Sequence, residues 1–208
     1  MKKQLFTVLI FGAVSFNAYG LQPQITCANT SPADAAAIYD EVVVGGPGDD
    51  TLSATGYAGS VAIFGRGGND TIMGTSGDDL LCGEGGDDNI VALAGDDVIG
   101  GSSGDDTLIG NAGADIIDGN AGNDFIRAGA GHDTVDGGDG DDEILGQNGD
   151  DNLLGAAGND DITGGSGYDF ADGGGGNGID SCVAEIEIRC DTPVMDDVVI
   201  DEDIPTDI

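Results

Sequence analysis

A nine-residue repeat is the feature of this sequence that most limits how it can fold. From Gly65 to Asp172 the chain divides without a gap into twelve nonapeptides, beginning with GRGGNDTIM and GTSGDDLLC. The fourth residue is Gly and the sixth is Asp in all twelve, and the eighth is aliphatic in eleven and Ala171 in the last. The fifth residue varies, so the Asp at the sixth position is the required one. Such a period predicts stacked units, each packed on its neighbours.

Two further copies flank this block. GGPGDDTLS at 45–53 precedes it, separated by a degenerate eleven-residue unit at 54–64, and GGNGIDSCV at 175–183 follows it after a two-residue slip. The repeat therefore accounts for about two thirds of the chain, and it determines the fold class before any other signal is considered.

Each nonapeptide combines a turn with a very short strand. Positions one to six are too rich in Gly for a helix or a regular strand, because Gly permits positive φ angles and close backbone approach in tight turns. Positions seven to nine form a strand whose middle residue points inward, opposite to its neighbours. Two units then make an eighteen-residue coil with two parallel sheets and two rows of turns. The predicted inward residues are Leu81, Ile90, Ile99, Leu108, Ile117, Ile126, Val135, Ile144, Leu153 and Ile162.

The formal net charge of −35 limits the partners of the chain. A protein this acidic repels nucleic acid and anionic membranes, and we expect neither as a direct partner. It requires cations to balance its charge. Residues 1–20 are typical of a secretory signal, because Lys2 and Lys3 precede an apolar run that ends in small residues. We therefore expect a secreted, extracellular protein, with retention in the periplasm as the alternative.

Four cysteines in an exported chain favour two disulfides. They allow three pairings. The pairing we prefer joins Cys182 to Cys190 locally and, by elimination, Cys27 to Cys82. In that arrangement the Cys27 segment crosses the outward aliphatic residues beside Cys82.

The acidic turns indicate what holds the coils together. Stacked rows of Asp carboxylates repel one another, and a hard divalent cation between successive turns removes that repulsion. Calcium accepts roughly six to eight oxygen ligands in flexible geometry, which carboxylates and the carbonyls of Gly-rich turns can supply. Magnesium fits less well, because it retains its water and requires a tight octahedron.

GGPGDDTLS and the twelve-unit block resemble the RTX, or haemolysin-type, calcium-binding repeat, whose pattern is G-G-x-G-x-D-x-U-x. The resemblance implies an all-β fold, a right-handed parallel β-roll of eighteen residues per coil, with calcium bound between turns n and n+2. Two features depart from the family. RTX proteins are generally poor in cysteine, and they generally leave the cell through an exporter that reads an uncleaved C-terminal signal.

Carried onto this chain, the resemblance implies two rows of calcium ligands. The first row contains Asp50, Asp70, Asp88, Asp106, Asp124, Asp142, Asp160 and Asp180. The second row contains Asp79, Asp97, Asp115, Asp133, Asp151 and Asp169. Twelve contiguous turns make ten sites between turns, and the flanking copies add two if the insertions do not disturb them. The degenerate unit 54–64 contains no Asp, so we expect a vacancy beside Asp79.

The segments outside the repeats predict the ends of the fold. Ser31-Pro32-Ala33-Asp34 is typical of a helix start, so we expect a short helix through about Glu41 that caps the open end of the solenoid. Val183 to Ile188 alternates like a terminal strand, and the acidic segment after it is predicted to be disordered. The predicted division is a signal peptide at 1–20, an N-terminal cap at 21–44, the β-roll at 45–183, and a terminal strand with an acidic tail at 184–208.

No catalytic site is predicted. His132 is the only histidine, and it occupies the variable fifth position of its unit. The carboxylates recur in every unit, as ligands do, whereas an active site is a unique departure from a repeat. We therefore interpret the chain as a non-enzymatic, exported protein that binds several Ca²⁺ ions. The alternative is a calcium-dependent adhesion or polysaccharide-binding module at the cell surface, with the outward residues Met73, Val91, Ile109 and Leu145 as a partner surface.

Overall fold

Short strands dominate the structure, a computed structural model that describes residues 27–28, 30–54, 56–175, 181–184 and 186–188. The predicted signal peptide, the acidic tail, Asp180 and Cys190 lie outside the described residues. One helix, α1, is Pro32–Ala35. The strands are β1 (Glu41–Val44), β2 (Thr51–Ser53), β3 (Val61–Phe64), β4 (Thr71–Met73), β5 (Leu80–Gly85), β6 (Asn89–Ala94), β7 (Val98–Ser103), β8 (Thr107–Ala112), β9 (Ile116–Ala121), β10 (Phe125–Ala130), β11 (Thr134–Asp139), β12 (Glu143–Asn148), β13 (Asn152–Ala157), β14 (Asp161–Ser166), β15 (Phe170–Asp172), β16 (Ser181–Val183) and β17 (Ile186–Ile188).

The strands form two parallel sheets. One sheet contains the nine odd-numbered strands in the order β1 to β17, and the other contains the eight even-numbered strands from β2 to β16. The chain crosses from one sheet to the other at every turn, so the turns form two opposite edges. The prediction of an all-β parallel solenoid is thereby confirmed, with about eight coils and almost no helix.

Strand pairing follows a constant register. Within the twelve-unit block the paired strand residues lie eighteen positions apart in sequence, as Phe125 and Glu143 do. Thr51 instead pairs with Thr71, twenty positions later, because the degenerate eleven-residue unit lies between them. The two extra residues lie in the connections between strands, so the inward and outward positions of both sheets continue unchanged.

The core is a stack of eighth-position side chains between the two sheets. All ten predicted inward residues are buried, so the predicted inward register is confirmed. Ile72 and Ile63 extend the stack towards the N-terminus, and Ala171 and Cys182 extend it towards the C-terminus. The inward residue of each strand therefore contacts its equivalents one coil above and one coil below.

The fourth-position Gly is required by backbone conformation and by contact between coils. Gly113 has a φ of 143°, and a Cβ atom added to it would overlap the carbonyl of Gly95 in the preceding coil. The second position is also left-handed in most turns, even where it carries a side chain, as at Leu93 with a φ of 89°. Successive turns therefore stack backbone on backbone, with no side chain between them at the fourth position.

A second, smaller apolar cluster lies on the outer face of the odd-numbered sheet. Phe64, Leu80 and Cys82 are buried there beneath the N-terminal segment. The predicted Cys27–Cys82 disulfide is present, with a Cα–Cα distance of 5.5 Å. Cys27 packs against this cluster, beside the outward residues Leu80 and Val98. Cys182 is disulfide-bonded as well, and Cys190, its predicted partner, lies outside the described residues.

The N-terminal helix is shorter than predicted. It ends at Ala35, and Glu41 begins β1 instead of ending the helix. The Asp40 amide donates to the carbonyl of Ser60, so pairing with the neighbouring coil begins where the helix was expected to continue. The buried Ala35 packs on the outer face of the sheet together with Phe64. No helix in the described part of the chain is long and apolar enough to cross a membrane.

The C-terminal strand is also divided differently from the prediction. Val183 to Ile188 does not form one strand, because β16 ends at Val183 and β17 begins at Ile186. β16 pairs with β14, whereas β17 pairs with β15 in the opposite sheet. The alternating pattern at 183–188 therefore contains one more crossing between the sheets.

Candidate metal centre

The sixth-position Asp closes each turn immediately before the next strand and points into the protein. In the twelve-unit block all these side chains are buried, with at most 3 % of their surface exposed. They are Asp70, Asp79, Asp88, Asp97, Asp106, Asp115, Asp124, Asp133, Asp142, Asp151, Asp160 and Asp169. Asp50, in the first copy, is half-buried, and Asp180 lies outside the described residues. Burial of so many carboxylates is costly unless each has a partner.

One oxygen of each carboxylate joins consecutive coils. The Asp88 amide donates to Oδ1 of Asp106 at 2.7 Å, and the Asp97 amide donates to Oδ1 of Asp115 at 2.9 Å. The same bond crosses the degenerate unit, where the Asp50 amide donates to Oδ1 of Asp70 at 2.8 Å. The structure thus brings together the sixth-position residues of turns n and n+2 in both predicted rows.

The second oxygen of most of these carboxylates has no hydrogen-bond donor. The buried Oδ2 atoms that accept no hydrogen bond include those of Asp70, Asp88, Asp97, Asp106, Asp115, Asp124, Asp133, Asp142 and Asp151. Burial of a neutral polar atom without a hydrogen-bond partner costs on the order of 1–3 kcal/mol. Burial of an anionic oxygen without a partner costs more. Repetition of this deficit in nearly every turn indicates a ligand that is common to all of them.

The first residue of the turn leaves room for these oxygen atoms. A Cβ atom added to Gly83 would overlap Oδ2 of Asp88 and would lie 3.0 Å from the carbonyl oxygen of Gly101, one coil later. The same overlap with the carboxylate recurs at Gly65 and Gly119. A carboxylate oxygen and a backbone carbonyl therefore face one space beside each first-position Gly.

Burial raises the pKa of these carboxyl groups. The pKa of Asp97 is raised to about 8 and that of Asp106 to about 7, mainly through loss of solvation, with repulsion from the Asp residues one coil away acting in the same direction. The backbone amide that donates to each carboxylate lowers the pKa by less than burial raises it. A cation beside the carboxylates would oppose both causes of the rise.

The donor atoms fit a hard cation. They are all oxygen atoms, from carboxylates and from backbone carbonyls, which is the set that calcium prefers. Among the described residues, no group of three or more His, Cys, Asp or Glu side chains could hold a metal by itself. Each site would therefore combine a few carboxylate oxygens with carbonyls of the Gly-rich turns, as the sequence predicts.

Asp79 differs from the other members of its row. The Thr75 amide donates to its Oδ2 at 2.6 Å, and the Thr75 hydroxyl lies 3.1 Å from both carboxylate oxygens. The Val61 amide donates to its Oδ1 at 2.8 Å. Thr75 occupies the second position, and unlike most second-position residues it does not have a positive φ. Its hydroxyl and amide satisfy the carboxylate at the place where the sequence predicts a vacancy.

The variable fifth position forms a hydrogen-bonded ladder that sequence reasoning missed. The Asp105 amide donates to Oδ1 of Asp87 one coil earlier, and the Asp141 amide donates to Oδ1 of Asn123. His132 takes part in the same way, because its Nδ1 accepts from the Asp150 amide at 3.0 Å. The predominance of Asp and Asn at this position was the available signal, since both carry a short oxygen acceptor.

Comparison with known proteins supports the same chemistry. The family model of the RTX calcium-binding nonapeptide repeat, which contains four copies of the repeat, matches successive parts of the chain. Together these parts span 37–177. The matched segments are 37–56, 53–81, 64–99, 100–135, 128–162, 136–171 and 154–177. No curated protein matches the chain.

Proposed function

This chain belongs to the family of RTX calcium-binding nonapeptide repeat proteins, and on that premise we propose that its coils are held together by calcium ions bound between consecutive turns. The observation that carries the proposal is the set of buried Asp Oδ2 atoms that accept no hydrogen bond. A calcium ion would supply each of them with an electrostatic partner and would neutralise the repulsion between stacked carboxylates. The Gly-rich turns orient the carboxylates and keep room beside them.

The proposed stoichiometry is about ten ions, one between each pair of turns in the twelve-unit block that lie one coil apart. Asp50 extends the first row through the same Asp amide-to-carboxylate contact with Asp70. Ten calcium ions bring twenty positive charges to a chain whose formal net charge is −35. Calcium is therefore proposed as the partner that makes so acidic a stack stable.

We also propose the finer features of the β-roll. The coil contains eighteen residues, which the register of the paired strands supports. It is right-handed, as connections between parallel strands of one sheet nearly always are. The N-terminal segment shields the first coils, which the burial of Phe64 and Leu80 beneath it supports.

We propose that the protein is not an enzyme. His132, the only histidine, is engaged as an acceptor for the backbone of the next coil. The buried sixth-position carboxylates recur in all twelve units, as ligands do. The one that differs, Asp79, is bonded to the amide and hydroxyl of Thr75. We therefore expect no catalytic turnover. A measured catalytic activity that is lost when one carboxylate is substituted would contradict the proposal.

Action outside the cytoplasm is part of the same proposal. The Cys27–Cys82 disulfide supports it, because such bonds persist in oxidising compartments. Secretion to the exterior is the proposed destination, and periplasmic retention is the alternative. Detection of the calcium-bound, disulfide-bonded chain only in the cytosol of the producing cell would contradict both.

A second candidate function uses the outer face of the even-numbered sheet. Met73, Val91, Ile109 and Leu145 occupy outward ninth positions there, and Met73 is 40 % exposed. This row supports the alternative of a calcium-dependent adhesion or polysaccharide-binding module. Retention of the full chain on immobilised polysaccharide or on cell-surface material in calcium, but not in chelator, tests that function.

Circular dichroism during a calcium titration tests the principal proposal. The full, oxidised chain is treated with chelator and then titrated with calcium, with magnesium in a parallel titration. We expect β structure to appear cooperatively with calcium and much less with magnesium, because the carboxylates repel one another until a cation is bound. A β signal that is complete in chelator and unchanged by calcium would overturn the folding role.

A further inference from the structure

The two rows of turns differ in composition. We call the row of turns that runs from the odd-numbered to the even-numbered sheet the glycine edge, since Gly occupies every first position: Gly65, Gly83, Gly101, Gly119, Gly137 and Gly155. The opposite row is called the alanine edge, because Ala replaces Gly twice in it. Its first-position residues are Gly74, Ala92, Gly110, Ala128, Gly146 and Gly164.

A methyl group fills the first-position space at two turns of the alanine edge. Ala92 and Ala128 are both completely buried. At the neighbouring Gly110 a Cβ atom would overlap Oδ2 of Asp115 and would lie 2.6 Å from the carbonyl oxygen of Ala128. Ala92 and Ala128 place a real carbon atom at the equivalent position of their own turns. The Asp97 and Asp133 carboxylates there compete for space with a group that cannot bind a cation.

The fifth-position ladder is continuous along the glycine edge but not along the alanine edge. On the glycine edge every fifth residue from Asp49 to Asn159 is Asp or Asn. Each of them from Asp49 to Asp141 accepts from the amide of the fifth residue one coil later. On the alanine edge the Ala114 amide donates to Asp96, but the methyl side chain of Ala114 has no acceptor to offer the following turn. The glycine-edge turns are therefore tied to one another at every step.

The charges beside the two edges differ as well. Asp118 and Asp136 occupy paired ninth positions directly before two glycine-edge turns. The residue directly before the Ala128 turn is Arg127, and the other ninth positions that lead into the alanine edge are apolar or neutral. Additional negative charge attracts a cation to the glycine edge, and the guanidinium repels one at the alanine edge.

The first turn of the alanine edge is closed without a cation. Thr75 supplies an amide and a hydroxyl to the Asp79 carboxylate, and the hydroxyl also lies 2.9 Å from the carbonyl oxygen of Gly59. The first turn of the glycine edge has one donor at the same place, the Gly46 amide to Oδ2 of Asp50. The alanine edge therefore begins with a carboxylate that needs no metal.

We propose that the two edges bind calcium as two classes of site, tight on the glycine edge and weaker on the alanine edge. This inference rests on the proposed calcium binding and adds the residues that set its strength. First-position methyl groups, the interrupted ladder and Arg127 all reduce the fit of the alanine edge. Changes of this kind around a metal typically lower affinity by about 10- to 100-fold.

Equilibrium dialysis of the full, oxidised chain against rising free calcium tests the proposal. We expect bound calcium to rise in two steps of similar size, separated by about 10-fold or more in free calcium. The variant A92G/A128G should move the second step to lower free calcium and leave the first step unchanged. The matched variant G101A/G119A should move the first step to higher free calcium and leave the second unchanged.

The outcomes separate this inference from the function on which it rests. If no calcium binds to the native chain, the proposed function fails. If calcium binds in a single step, or if A92G/A128G leaves the second step in place, only the two-class inference fails. Circular dichroism in saturating calcium identifies a variant that has not folded, and if G101A/G119A is such a variant, A92G/A128G decides the matter alone.

Discussion

At the scale of single residues, the variable fifth position has a defined structural task. Its side chain accepts from the backbone amide of the fifth residue one coil later, and Asp, Asn and His all provide an acceptor two bonds from the Cβ atom. The sixth position differs because its carboxylate carries both a backbone bond and an oxygen without a donor. The fifth position tolerates several residue types because one acceptor is enough there. The sixth position is always Asp because two carboxylate oxygens are needed.

Substitution of His132 tests this task. H132A removes the acceptor for the Asp150 amide, so we expect the free energy of unfolding in saturating calcium to fall by about 0.5–1.5 kcal/mol. H132N places an amide oxygen there, as Asn123 does in its own turn, and should change the free energy by less than about 0.5 kcal/mol. Urea denaturation measures both. Equal losses in the two variants would show that the imidazole, not its acceptor, is needed.

Recurrence made some residue roles predictable and left others hidden. The sixth-position Asp and the inward eighth position were predictable because twelve units repeat the same demand. Thr75 was not, since its bonds to Asp79 depend on a turn conformation that differs from the others. Nor was the left-handed conformation of Leu93, because stacking on the adjacent coils outweighs the intrinsic preference of a branched side chain.

At the scale of the turn and strand, the fourth-position Gly controls the approach of one coil to the next. G113A introduces a Cβ atom that overlaps the Gly95 carbonyl, at a residue whose φ is 143°. We expect it to lower the free energy of unfolding by about 3 kcal/mol, from overpacking and from backbone strain together. Urea denaturation in saturating calcium gives the value.

The chain offers a control at the same position of the repeat. Gly48 is the fourth residue of the first copy, its φ is not positive, and a Cβ atom added to it meets no atom within 4 Å. G48A should therefore change the free energy of unfolding by less than about 0.5 kcal/mol. If G48A lowers the free energy of unfolding as much as G113A does, the loss arises from replacing Gly itself and not from contact between coils.

The N-terminal segment is a separate element that the disulfide fixes to the sheet. C27A/C82A removes the bond and loosens the cover over Phe64 and Leu80, so we expect a loss of about 2–4 kcal/mol in the free energy of unfolding. Binding of a hydrophobic dye should rise in the same variant. No change in either quantity would mean that the outer apolar cluster holds the segment without the bond.

The sequence predicted the elements well where they repeat and less well where they do not. The pairing of Cys27 with Cys82 followed by elimination once Cys182 was paired locally with Cys190. The end of α1 did not, because local capping signals cannot show that the Asp40 amide pairs with Ser60 of the next coil. Similarly, the alternation at 183–188 contains no signal for the change of sheet between β16 and β17.

At the scale of the whole molecule, protons and calcium compete for the same carboxylates. Burial raises the pKa of Asp88, Asp124 and Asp142 to about 6, and those of Asp106 and Asp97 to about 7 and about 8. The unfolded chain has ordinary Asp pKa values of about 4. Between these values the folded, calcium-free chain binds more protons than the unfolded chain, so its stability falls as pH rises.

This linkage predicts that acid partly replaces calcium. The stabilisation by protons is complete below about pH 4 and is lost as pH rises through about 6 to 8, so in chelator we expect more β structure at pH 5 than at pH 8. Calcium must displace those protons, so its apparent affinity should rise over the same interval.

D97N, which imitates the protonated group, should favour folding in chelator at pH 8, whereas D96N, at the exposed neighbouring position, should not. Circular dichroism in chelator at the two pH values measures the effect, and a β signal that is equal or weaker at pH 5 would show that the buried carboxylates remain charged without metal.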